Sequence, residues 1–111
     1  LAMSSSHSYA CTPGWCAPEQ LLSGLARKAS ERGLEPRIDV YQLGNLVLYL
    51  LTGSTIDGRE AVKPGRIEEY MKSVKHEKLR EILEEMLSPE PSSRISSDES
   101  VKMFLEVYSS P

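Results

Sequence analysis

The chain reads as an all-α fold, and three observations carry that expectation. An apolar stretch from Ile38 to Thr52 is long enough for about four helical turns and stops at Gly53. Further on, Leu79, Ile82, Leu83, Met86 and Leu87 recur at helical spacing, as do Val101, Phe104, Leu105 and Tyr108. No segment shows the alternation of a half-buried strand, and no internal repeat appears. The expected architecture is four to five helices around a buried central helix.

The elements follow in order. The first ten residues are small and polar, with Ser4, Ser5, Ser6 and Ser8, and read as a loop. Pro18 suits the first turn of a short helix continued by Glu19, Gln20, Leu21 and Leu22. Gly24 to Pro36 is charged and broken by Gly33 and Pro36, so a loop with at most one helical turn is expected. In the central segment, Ile38, Val40, Tyr41, Leu43, Leu46, Val47, Leu48, Tyr49, Leu50 and Leu51 cover every side of a helix. A helix apolar all round needs neighbours on all sides. Its length and the glycine stop favour helix over buried strand.

Ser54 to Gly65 holds Gly58, Pro64 and Gly65 and reads as a loop. Ile67, Tyr70, Met71 and Val74 then resume helical spacing. The Leu79–Leu87 stripe has glutamates opposite it and ends at Ser88-Pro89-Glu90-Pro91, because proline has no N–H to donate. Ser96-Ser97-Asp98-Glu99 has the form of a capping box, with Ser96 as cap and Glu99 three residues on. It opens a last helix with Val101, Phe104, Leu105 and Tyr108 on one face.

Composition narrows the function classes. With 111 residues, 40% hydrophobic and 26% charged, the chain has the make-up of one globular domain. A net charge of −3 gives no overall attraction to nucleic acid or an anionic membrane. Arg27, Lys28, Arg32 and Arg37 cluster, but Glu31 and Glu35 interrupt them, as on a solvated helix face. The two cysteines, Cys11 and Cys16, make neither a disulfide framework nor a zinc spacing, so reduced thiols and a cytoplasmic setting are expected. The apolar run Leu46–Leu51 is far too short to span a bilayer, and no signal peptide is visible.

Thr12-Pro13-Gly14-Trp15-Cys16-Ala17-Pro18-Glu19 is the most informative stretch, followed by Asp39-Val40-Tyr41-Gln42-Leu43-Gly44 and a distant Arg94. Together these resemble the activation-segment end and C-lobe of a eukaryotic-type serine/threonine protein kinase. The resemblance covers nearly the whole chain. It implies that residues 1–16 form the end of an activation segment with its substrate-binding loop, and residues 17–111 a helical C-lobe subdomain. It implies substrate-binding roles for Thr12, Gly14 and Trp15, with the Thr12 hydroxyl approaching a catalytic aspartate. It further implies a buried pair between Glu19 and Arg94, and that Asp39 holds the catalytic loop through backbone N–H groups. The bland reading of Asp39 is an ordinary acid at a helix start.

Ser5, Ser6 and Ser8, with Ser4 and Tyr9, lie where activation loops are commonly phosphorylated; a flexible serine-rich terminus is the competing reading. Two positions depart from the family. The Ser23–Arg37 linker looks longer and more charged, and Cys11 replaces a frequent glycine.

The ATP-handling motifs are missing. No G-x-G-x-x-G, His-Arg-Asp or Asp-Phe-Gly occurs. Ala61-Val62-Lys63 precedes Pro64-Gly65 and lacks the strand context of a kinase lysine. His7 and His76 have no partner pattern for nucleophilic catalysis. No metal or cofactor is therefore expected in this chain, and ATP and Mg are implied only for an intact parent. The resemblance makes the chain a substrate-docking platform and anchor of the catalytic loop, inactive alone. Its partners would be a protein substrate, the missing N-terminal part of the kinase, and a second copy bound through exposed apolar surface. The alternative is a non-catalytic kinase-like scaffold or interaction module. An unrelated all-α binding domain is the third reading.

Overall fold

The computed structural model describes residues 11–34 and 36–109, which form seven α-helices and one 3-10 turn. The all-α class holds. Helix α1 (Pro18–Leu21) opens with Pro18, whose missing N–H costs nothing at that position. The Ala17 N–H donates to Gln20 Oε1 at 2.7 Å, which orients the first turn.

The segment expected as a loop from Gly24 to Pro36 instead contains helix α2 (Ser23–Glu31). Its buried residues are Ala26 and Ala29. Both are strong helix formers, yet too small to register as an apolar stripe. Gly33, at φ +66°, turns the chain after it.

Helix α3 (Arg37–Thr52) ends at Gly53 in the left-handed region, where the Gly53 N–H donates to the Tyr49 carbonyl at 2.7 Å. Ile38, Val40, Tyr41, Gly44, Asn45 and Leu48 are buried. Gly44 allows a close approach: a Cβ there would lie 3.0 Å from Met86 Cβ. The expectation of neighbours on all sides is not met within this chain, whereas the expected exposed apolar surface is present. Leu43, Leu46, Tyr49, Leu50 and Leu51 are exposed, Leu50 by 73%. The neighbouring helices of this chain cover one side of α3 and leave the other bare.

The expected Ser54–Gly65 loop also contains a one-turn helix, α4 (Gly58–Ala61), capped by Asp57, which accepts from the Arg59 N–H. Helix α5 (Arg66–Met71) follows, shorter than the apolar spacing predicts, with Val74 still buried beyond its end. Helix α6 (Glu77–Met86) buries Ile82, Leu83 and Met86, and the His76 ring accepts from the Leu79 N–H at 3.3 Å to cap it.

A 3-10 turn (Pro91–Ser93) leads to helix α7 (Ser97–Ser109). The capping box closes in both directions: the Glu99 N–H donates to Ser96 Oγ and the Ser96 N–H to Glu99 Oε1, each at 3.2 Å. These Ser96 contacts hold the Glu99 carboxyl below its usual range. The face expected on α7 is corrected by rotation. Val101, Leu105 and Tyr108 are exposed, whereas Met103, Phe104 and Val107 pack on Val40, Ile82, Met86 and Ile95. The larger core gathers Tyr41, Leu48, Ile56, Leu83 and Leu87.

Among the described residues no helix is long and apolar enough to cross a membrane. No group of three His, Cys, Asp or Glu side chains among them could hold a metal ion.

Candidate functional site

The site grows out of two buried polar residues on α3. Tyr41 Oη and Asn45 Nδ2 both donate to the Ile56 carbonyl, at 2.7 and 3.0 Å, and the Ile56 N–H donates back to Asn45 Oδ1 at 2.8 Å. A buried amide side chain thereby substitutes for a backbone partner and fixes the chain after α3. Burial pushes the Tyr41 phenol far above its ordinary value, against the opposing pull of the Arg94 cation.

From Ile56 the order passes to Asp57 and Gly58. Asp57 Oδ1 accepts from the Gly14 N–H at 3.0 Å, and the Gly58 N–H donates to the Cys16 carbonyl at 2.7 Å. Gly58 must be glycine for this approach, because a Cβ would fall 2.6 Å from the Ala17 carbonyl carbon. Gly14 in turn sits at φ +91°, a conformation that disfavours any side chain. The loop ahead of α1 is thus hung from the loop after α3.

Thr12 to Trp15 form a turn closed by the Trp15 N–H on the Thr12 carbonyl at 3.0 Å. The Trp15 ring meets Tyr49 at 5.6 Å and 57°, a tilted pair that ties the turn to exposed α3 surface. Thr12, Trp15, Gln42 and Leu46 line an open depression of about 350 Å³. Thr12, Gly14 and Trp15 therefore lie together, with Thr12 exposed. A larger hollow of about 580 Å³ between α6 and α7 contains none of the candidate site residues named from the sequence.

The expectation of reduced thiols is corrected: Cys11 and Cys16 are joined in a disulfide that closes this turn. The C-x4-C spacing fits no familiar framework, so nothing in the sequence singled it out. The turn itself brings the two ends together.

Glu19 and Arg94 meet. Arg94 Nη1 and Nη2 donate to the two Glu19 carboxylate oxygens at 2.7 and 3.0 Å, with neither side chain exposed. Arg94 also donates to the Ser88 and Arg37 carbonyls, at 2.9 and 2.8 Å, and lies 5.0 Å from the centre of the Tyr41 ring. The Arg37 guanidinium returns a hydrogen bond to the Arg94 carbonyl. One cation therefore links α1, the start of α3, the end of α6 and the loop before α7.

Asp39 lies elsewhere, exposed in the first turn of α3, and its carboxylate has no partner among the described residues. Ser4, Ser5, Ser6, Ser8 and Tyr9 fall outside the described residues. Sequence reasoning missed Gln20, Asn45, Asp57 and Gly58. The Asp57-Gly58 pair carried a turn and cap signal. Asn45 offered none beyond being, with Gln42, one of two amides inside an apolar helix.

No family model, curated protein or solved structure matches this chain.

Proposed function

We propose that this chain is the lower helical part of a serine/threonine protein kinase, which presents a protein substrate and anchors the catalytic loop. One observation carries the reading: the buried two-point contact of Glu19 with Arg94. The resemblance called for that contact between residues 75 positions apart. It pins the segment bearing Thr12, Gly14 and Trp15 onto the helical floor.

In this reading the depression beside Thr12 and Trp15 receives the substrate residue next to the phosphoacceptor. Asp39, exposed and unpaired among the described residues, waits for the backbone of a catalytic loop. The bare side of α3 takes the missing part of the kinase, or a second copy when the chain is alone. ATP and Mg belong to that missing part, because the chain has no phosphate-cradling loop, catalytic base or metal-binding acids. The setting is cytoplasmic, and the chain alone transfers no phosphate.

Immunoblotting source cells with an antibody to this segment tests the reading. A native polypeptide of roughly 30 kDa or more, with ATP-dependent kinase activity, is expected. A band at the mass of this chain would favour the non-catalytic scaffold, in which the same turn binds a partner without chemistry.

A further inference from the structure

The turn that carries Thr12 and Trp15 is held very differently at its two ends. Cys16 is 2% exposed, its carbonyl accepts from the Gly58 N–H, and Ala17 beside it is wholly buried. Cys11 is half-buried, and among the described residues it has no hydrogen bond to anything. The bridge to Cys16 is what ties that end down. Gly14 and Trp15 have anchors of their own, on Asp57 and Tyr49, that do not involve the sulfurs.

We propose that Cys11 and Cys16 form a reversible thiol–disulfide switch that sets the order of the Thr12–Trp15 turn. The reductant is a small cellular thiol of the glutathione class. Its thiolate attacks the Cys11 sulfur, the more accessible of the two, and the Cys16 thiolate leaves and takes a proton. A second thiolate attacks the glutathione sulfur of the mixed disulfide, releasing oxidised glutathione and the Cys11 thiolate, which is protonated in turn. Two thiols are oxidised and one bridge reduced. Cys16 Sγ lies 3.2 Å from the Thr12 carbonyl, so the freed thiol has an acceptor already in place. Inside cells, where structural bridges are rare, a short accessible disulfide has the character of a sensor.

The switch rests on the proposed cytoplasmic setting, and a consequence for substrate binding rests on the proposed kinase reading. The purified chain is equilibrated in glutathione buffers from fully reduced to fully oxidised, and amide hydrogen exchange is read at Gly14 and Trp15. Exchange at Trp15, whose N–H donates to the Thr12 carbonyl, is expected to rise by at least about tenfold on reduction, as release of a short closed loop implies. Amides of α3 stay unchanged, and oxidised glutathione restores protection. Cys11→Ser, at a half-exposed position, should show the fast exchange in every buffer. If the bridge yields only when the helices melt, it is a structural staple and the proposal fails. Equal exchange at Trp15 in both states would overturn it as well. Loss of kinase activity in the parent, with the switch intact, would count against the kinase reading alone.

Discussion

The Arg94 guanidinium grips the Glu19 carboxylate through two hydrogen bonds, 2.7 and 3.0 Å long, at a point where neither side chain reaches solvent. Four of the five guanidinium N–H donors have acceptors, so the cation is paired and nearly satisfied where it is buried. Such a pair need not add stability relative to apolar residues of the same shape. Breaking it leaves a buried charge alone.

Glu19→Ala should therefore lower unfolding free energy by about 3–5 kcal/mol. Glu68→Ala, on the exposed side of α5, should stay within about 0.5 kcal/mol of the parent chain. Urea denaturation of the two variants checks this, and equal midpoints would remove the pair as the lock of the segment. Arg94→Lys should behave like a loss, because an ammonium cannot span both carboxylate oxygens and also reach Ser88.

Two glycine substitutions should have opposite signs. Gly58→Ala drives a Cβ into the Ala17–Pro18 backbone and should cost about 1–3 kcal/mol. Gly24→Ala, inside α2 with open space around it, should stabilise by about 0.4–1 kcal/mol. Thermal melts of both proteins measure the contrast. A neutral Gly58→Ala would mean that the two loops are not in contact.

Alkaline stability should depend on Tyr41. Its folded pKa is raised, chiefly by burial, so the unfolded phenol loses its proton first as pH climbs past about 10. The unfolded state then binds fewer protons, and stability falls with rising pH by up to about 1.4 kcal/mol per unit. The contribution is complete below that pH and is lost above it. Tyr41→Phe should flatten this alkaline slope while costing about 1 kcal/mol at neutral pH, because the Ile56 carbonyl keeps only Asn45 as a side-chain donor. Denaturation curves between neutral and alkaline pH provide the test.

The bare side of α3 should make the isolated chain self-associate. Leu43, Leu46, Leu50 and Leu51 are exposed together on one helix, more apolar surface than a free helix face usually shows. Light scattering should show mass rising with concentration, and Leu50→Lys should restore a monomer without lowering the melting temperature. A strict monomer across the whole range would contradict this.

The sequence on its own determined the helical class, the span and glycine stop of α3, the proline start of α1, and the capping box that opens α7. Each of these depends on contacts within a few residues, so the local pattern contains the cause. It also paired Glu19 with Arg94 in expectation, though only through resemblance, since nothing local links residues so far apart. Tertiary structure decided the rest. Ala26 and Ala29 became a buried face because α1 and the 3-10 turn lie against them. Which apolar residues of α7 face inward depended on where α3 and α6 stood, so Met103 and Val107 are packed while Leu105 and Tyr108 are left outside. The bare flank of α3 depended on how many helices were present to cover it. The Cys11–Cys16 bridge required the turn itself to bring its ends together. Burial is a property of neighbours, and a chain states its own propensities but not which surfaces its neighbours will reach.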